Sequence, residues 1–162
     1  MPQRSSDRCE IDPMATSVTV DTSVMVKGLV SPRRKKKDQL FESQLDLHLR
    51  SRDILVKIES GDYVNHIPML ALIETACVVS RLADEARARL AIAYLSQNSK
   101  FYGDAYLLER SIEVGIITKA SGFDVIFMAC AEETGSTLIT DDRKMDEKAR
   151  HYGLDVIFLR DL

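Results

Sequence analysis

Four acidic side chains stand where acids are costly or where strands end. Asp21 follows the valine-rich SVTV. Glu74 is the lone acid of IPMLALIETACVV. Asp124 opens a helical run in SGFDVIFMA, and Asp142 comes just after STLIT. A charge in an apolar segment is unfavourable unless it is paired or bound. Four carboxylates on one rim repel one another, so they raise each other's pKa or take up a cation. His48, His66 and His151 are all remote in sequence from these acids. Oxygen-only ligation favours magnesium or manganese over zinc. Carboxylate-held ions of this kind activate water and stabilise phosphoryl transfer.

Each acid also has a plainer reading. Asp21 and Asp142 suit helix N-caps, and Asp124 suits the positive end of a helix dipole. Glu74 suits a polar stripe or a salt bridge. Asp141, beside Asp142 in LITDDRKM, reads first as surface charge, then as a support to the site, and last as a ligand. Glu85, Glu109, Glu113, Glu132, Glu133 and Glu147 lie on polar helix faces and are explained by solvation.

The elements that must position the four acids alternate between strand and helix. Val18 and Val20 mark a central strand with Asp21 at its carboxyl end, and a short helix covers Ser23 to Leu29. SPRRKKK breaks that helix. Residues 38–60 predict one or two helices, although 45–49 alternates like a strand. YVNHIP at 63–68 reads as a second strand, with Pro68 in the first turn of the next helix. Asp84 to Leu95 forms a further helix. A third strand falls at 101–102, followed by a helix and a joint at Ser121-Gly122. Asp124 to Thr134 is helical and Gly135 ends it. STLIT, a helix over Arg143 to His151, and LDVIFL complete the chain. The pattern predicts an α/β fold with mostly parallel strands covered on both faces. Open sheets of this type bind ligands beyond the carboxyl ends of their strands. Asp21 and Asp142 therefore share one rim if their strands are neighbours.

The 162 residues suit one domain, expected over 17–162 after a polar, flexible leader at 1–16. Net charge is −3, which argues against an overall nucleic-acid coat but allows a local basic surface. The N-terminus carries no secretory signal pattern and no run is long enough to span a membrane, so a cytoplasmic location is expected. Cys9, Cys77 and Cys130 have no metal-finger spacing. Cys77 and Cys130 read as small core residues, and Cys9 as part of the polar leader.

VDTSVMV, Glu74 in ALIETA, GFDVIFMACAEETGSTLITDDRKM and the closing GLDVIF together resemble the PIN domain family over about residues 17–160. The ordered set and the 18-residue step from Asp124 to Asp142 carry the resemblance. It implies an α/β/α sandwich around a five-stranded parallel sheet and a magnesium- or manganese-dependent ribonuclease. Asp21, Glu74, Asp124 and Asp142 then match the family's acids. Ser23 and Thr140 match hydroxyl residues that support them, and Asp141 occupies a position that varies. The resemblance further implies a toxin of a toxin–antitoxin pair, held inactive by a small antitoxin, or an RNA-processing or decay nuclease. The region 30–60 is longer than in the most compact toxins.

RNA must approach an acidic site, so flanking cations matter. Arg33, Arg34, Lys35, Lys36 and Lys37 are candidate RNA contacts, with a solvated loop as the equal alternative; Arg143 and Lys144 are nearer Asp142 in sequence. No GxxxxGK[ST] loop marks a nucleotide hydrolase. The non-enzymatic rival is a PIN-like scaffold that binds RNA or protein without cutting. The apolar 69–95 stretch predicts a homodimer.

Overall fold

The computed structural model describes residues 15–120 and 122–162; the expected leader, with Cys9, lies almost wholly outside them, as does Ser121. Five parallel strands form the sheet: β1 (Thr16–Val20), β2 (Tyr63–Pro68), β3 (Ser99–Tyr102), β4 (Thr137–Thr140) and β5 (Val156–Phe158). Their order is β3-β2-β1-β4-β5. Among the described residues, seven helices connect and cover them: α1 (Thr22–Leu29), α2 (Gln39–Glu59), α3 (Leu70–Leu82), α4 (Glu85–Asn98), α5 (Asp104–Thr118), α6 (Phe123–Thr134) and α7 (Arg143–Tyr152). The expected α/β sheet, parallel and five-stranded, is what the chain forms.

β1 sits in the middle and is covered on both faces: Val18 and Val20 point to one, and Thr19 is buried on the other, where its Oγ1 pairs with Ser136 Oγ at 2.6 Å. Val18 and Val20 have no exposure, and neither do Leu138 of β4 and Ile67 of β2. Each such side chain contributes about 2 kcal/mol by leaving water. The chain runs from β1 outward to β2 and β3, then returns to β4 on the other side of β1. That reversal opens a crevice at the carboxyl ends of β1 and β4. Val20 lies opposite Ile139, and the Asp21 amide donates to the Ile139 carbonyl at 2.9 Å. The pairing fixes where both strands deliver their acids.

Helix α1 packs closely on α2 at Gly28. A Cβ there would meet Leu55 Cδ1 at 2.6 Å and the Ser51 backbone carbon at 3.2 Å, so only glycine lets the two helices approach this closely. Helices α6 and α7 stop at Gly135 and Gly153, both at positive φ.

Residues 45–49 are helical, within α2, as the helical reading of 38–60 expects: of the alternating leucines, Leu47 is buried while Leu45 and Leu49 face solvent. Two local expectations need correction. Pro68 ends β2 and pairs with Tyr102, so the proline closes a strand and α3 begins two residues later. Cys77 is exposed, whereas Cys130 is buried as expected. Helix α3 buries Ala71, Thr75 and Val79, one stripe at four-residue spacing, and Cys77 falls off that stripe.

Candidate active site

All four acids line one cleft of about 430 Å³, together with Thr22, Ser23, Lys27 and apolar walls from α1 and α3. The sheet and three helices deliver them separately. Asp21 is the last residue before α1, and its extended backbone continues β1. Glu74 projects from α3, one helical step from the buried stripe. Asp124 lies in the first turn of α6. Asp142 is the N-cap of α7, where its Oδ1 accepts from the Lys144 amide at 2.7 Å and the Met145 amide at 3.0 Å. The capping reading of Asp142 therefore holds alongside its place in the cleft. Asp21 makes no side-chain cap.

Hydroxyl groups hold two of the acids. Asp21 Oδ2 accepts from Ser23 Oγ at 2.6 Å and from Thr140 Oγ1 at 3.0 Å. Thr140 Oγ1 also accepts from the Asp142 amide at 3.0 Å, so one threonine at the end of β4 touches both acids. Thr22 Oγ1 donates to Glu74 Oε2 at 2.6 Å. Ser23 and Thr140, expected to support the acids, both hydrogen-bond directly to Asp21. Thr22 was not foreseen.

The carboxylates feel one another. Burial pushes the Asp21 carboxyl upward, against the lowering effect of its Ser23 and Thr140 bonds. Glu74 is raised mainly by burial, opposed by its Thr22 bond, with the Asp21 charge adding to the rise. Asp124 is pushed up to about 6, first by burial and then by the negative charges of Asp142, Asp21 and Glu74; Lys148 opposes this. Protons or a cation must relieve such a cluster.

Among the described residues, no three His, Cys, Asp or Glu side chains stand in an arrangement that holds a metal ion as they are. The four acids share a cleft and an electrostatic field, without a preformed coordination sphere. By the chemistry of the donors the set fits a hard divalent cation: every donor is an oxygen, and charge is in excess.

Asp141 departs from its expected surface role. Its side chain is almost fully buried, with Lys27 Nζ at 3.0 Å from Oδ2 and Arg160 Nε at 2.8 Å from Oδ1. Arg160 Nη2 donates to Oδ2 at 3.1 Å, whereas the Oδ1 contact is an ion pair without hydrogen-bond alignment. Asp141 therefore ties α1 to the C-terminal turn at Leu159–Asp161, and it does not line the cleft. Lys27 does line it. Neither Lys27 nor Arg160 carried a sequence signal, because VMVKGL reads as an ordinary helix face and Arg160 meets Asp141 only through the fold.

The candidate RNA contacts divide. Arg33 to Lys37 lie on an exposed loop between α1 and α2. Arg34 is engaged by Asp38, its i+4 neighbour. Arg33 reaches the Ala83 carbonyl at 3.4 Å and Asp84 at 3.9 Å. The Arg143 guanidinium sits 5.2 Å above the Phe158 ring. None of the seven cations lines the acidic cleft. Lys148, which moderates Asp124, was not foreseen; its ammonium donates to the Lys119 carbonyl at 2.7 Å.

Comparison with known proteins agrees with this architecture. The PIN domain family model matches residues 18–151. No curated protein matches the chain. Among solved structures, VapBC2 from Rickettsia felis, bound to a DNA fragment from its promoter, is similar with a TM-score of 0.59 and 11% identity. That match covers 88% of this chain and 98% of the other. PAE2754 from Pyrobaculum aerophilum gives a TM-score of 0.58 at 19% identity, over 91% of this chain and 94% of that one. At these identities the likeness concerns fold. The family match spans most of the chain and includes all four acids of the cleft: this protein belongs to the PIN domain family.

Proposed function

We propose that the chain is a divalent-metal-dependent ribonuclease that hydrolyses RNA phosphodiester bonds, with Asp21, Glu74, Asp124 and Asp142 as its metal-holding acids. The observation that carries this reading is their shared lining of one cleft at the sheet's crevice, with Asp124 raised first by burial and then by the charges of the other three. Membership of a nuclease family supports the same reaction class.

A bound magnesium or manganese ion supplies Lewis acidity and a water of lowered pKa. The chain's own residues supply the rest. Asp21, held by Ser23 and Thr140, keeps one carboxylate fixed in the floor of the cleft. Asp142, fixed by the amides that open α7, presents a second from the facing strand. Asp124 and Glu74 close the ring from α6 and α3. Glu74, oriented by Thr22, is placed to align the attacking water. Lys27 puts a positive charge in the cleft wall, where an approaching phosphate needs one.

Incubation of the purified chain with a fluorescent RNA pool tests this. Cleavage is expected with magnesium or manganese, none in chelator, and a loss of at least roughly a hundredfold in a folded Asp142→Asn variant. Cleavage that persists in chelator overturns the reading, and a folded wild-type chain that binds RNA without cutting supports the scaffold alternative.

We also propose association with a second copy and with a small antitoxin. The similar VapBC2 structure supports the latter. For the former, large apolar side chains remain exposed on α3 and α4, at Ile73, Leu82 and Leu90, and along one face of α5 at Leu108, Ile112 and Ile116. The four-residue spacing on α5 sets its three side chains in one row, and exposed apolar rows mark interaction surfaces.

A further inference from the structure

A second cavity, of about 290 Å³, adjoins the acidic cleft and shares Val26, Lys27 and Leu82 with it. Its chemistry differs. No acid lines it, and its walls are mainly apolar, from Val26, Val30, Pro32, Leu47 and Leu82. Four residues with polar or charged side chains also line it: Arg33, His48, Gln44 and Ser31. We infer that this cavity is a subsite for one nucleobase of the RNA, the base adjacent to the phosphate held in the acidic cleft. The inference rests on the ribonuclease reading above and names the part of that site that selects sequence.

The size suits a single ring system. Pockets for drug-sized ligands run from about 300 to 1,000 Å³, so this one, at about 290 Å³, has room for a planar base. The surfaces suit it as well. Single-stranded RNA is read by splaying a base out, stacking it on an aromatic, imidazole or guanidinium plane, and hydrogen-bonding its edge. Arg33 brings such a plane, and the apolar walls take the rest of the face.

The edge-reading groups are specified by the fold. His48 Nδ1 lies 2.6 Å from the Lys27 carbonyl oxygen. A carbonyl only accepts, so Nδ1 carries the hydrogen, and Nε2 of the neutral ring is an acceptor. Gln44 stands one helical turn before His48 on α2 and brings both a donor and an acceptor. Together they can match a base edge that offers an N–H beside a carbonyl or ring nitrogen. Lys27 lies between the two chambers: its backbone carbonyl fixes His48 on one side, and its ammonium, held by Asp141 at 3.0 Å, stands where the linking phosphate must pass. The α1–α2 loop, longer than a compact connection requires, thereby acquires a role: it carries Pro32 and Arg33 to the cavity rim.

Two measurements on the full chain test the inference. The first sequences the cuts made with manganese in a random-sequence RNA pool. The wild-type chain is expected to prefer one base at a single position beside the cut. Gln44→Ala, at an exposed helical position, is expected to weaken that preference roughly fivefold, the scale of one or two lost hydrogen bonds. An unchanged preference in Gln44→Ala overturns the inference. The second titrates adenosine, guanosine, cytidine and uridine, each without phosphate, and follows the methyl resonances of Val26, Val30, Leu47 and Leu82 by NMR. Saturable shifts confined to these methyls, stronger for one nucleoside, support the subsite. Shifts that are absent or spread over other surfaces overturn it, as does saturation by a helical peptide that no nucleoside displaces. A chain that cuts no RNA but passes the second test loses the ribonuclease reading and keeps the base site.

Discussion

Thr22 Oγ1 donates to Glu74 Oε2 at 2.6 Å, across 52 positions of chain, and so ties the first residue of α1 to the lone acid of α3. The bond explains how a carboxylate is tolerated beside the buried stripe of α3. It also sets Glu74 in the same cleft as Asp21, the residue that precedes Thr22.

Thr22→Val removes that bond at nearly constant volume. Glu74 should then be held less firmly and titrate higher, because the Thr22 bond lowers its pKa. The expected outcome is a loss of about tenfold or more in RNA cleavage with only about 1 kcal/mol of stability lost. Urea unfolding alongside single-turnover cleavage separates the two effects. Equal activity with equal stability contradicts the positioning role.

The raised acids predict a particular pH dependence. In the folded, metal-free chain Asp124 titrates at about 6 against an ordinary 3.8. Between these values the folded state holds a proton that the unfolded state has released, so the Asp124 contribution weakens stability as pH rises from about 4 to about 6. Asp124→Asn lacks this penalty. Its melting temperature relative to wild type should therefore rise across that window in chelator, then level off above it. Manganese should stabilise wild type at pH 7 more than at pH 5. A difference between the two proteins that is flat with pH contradicts the assignment.

Asp141→Asn leaves Lys27 and Arg160 without their shared counter-charge. Breaking a buried pair costs about 3–5 kcal/mol, but both cations here are partly exposed and screened, so about 1–2 kcal/mol is expected. Lys27→Met should cost less, since Arg160 remains on Asp141. Denaturant midpoints of the two variants give the comparison, and a larger loss for Lys27→Met contradicts the clamp.

Ile112→Glu places a charge in the exposed apolar face of α5. Light scattering should show a dimer for wild type at micromolar concentration and a monomer for the variant, with the helical circular dichroism unchanged. A wild-type monomer contradicts the proposed self-association.

The sequence made the strands and the four acids legible chiefly for one physical reason. Acids at strand ends, or alone in an apolar helix, violate the local pattern, and such violations mark sites. Asp21 and Asp142 follow strands and Glu74 stands alone in its helix, whereas Asp124, an ordinary acid in a first helical turn, stood out only in company with them. Lys27, Thr22 and Arg160 violate nothing, and their roles arise from contacts far along the chain. Asp141 misled because two adjacent aspartates read as surface, whereas its side chain turns inward to Lys27 and Arg160. Cys77 misled because nearly every face of α3 is apolar, so composition gave no hint that 71, 75 and 79 form the buried stripe.

The account depends on the four carboxylates acting as one cation-holding unit. Manganese calorimetry on the wild-type chain and on Asp21→Asn, Glu74→Gln, Asp124→Asn and Asp142→Asn measures this directly. Saturable binding by wild type, weakened about tenfold or more in each folded variant, is the predicted result. No binding by wild type, or binding undiminished in all four variants, would contradict it.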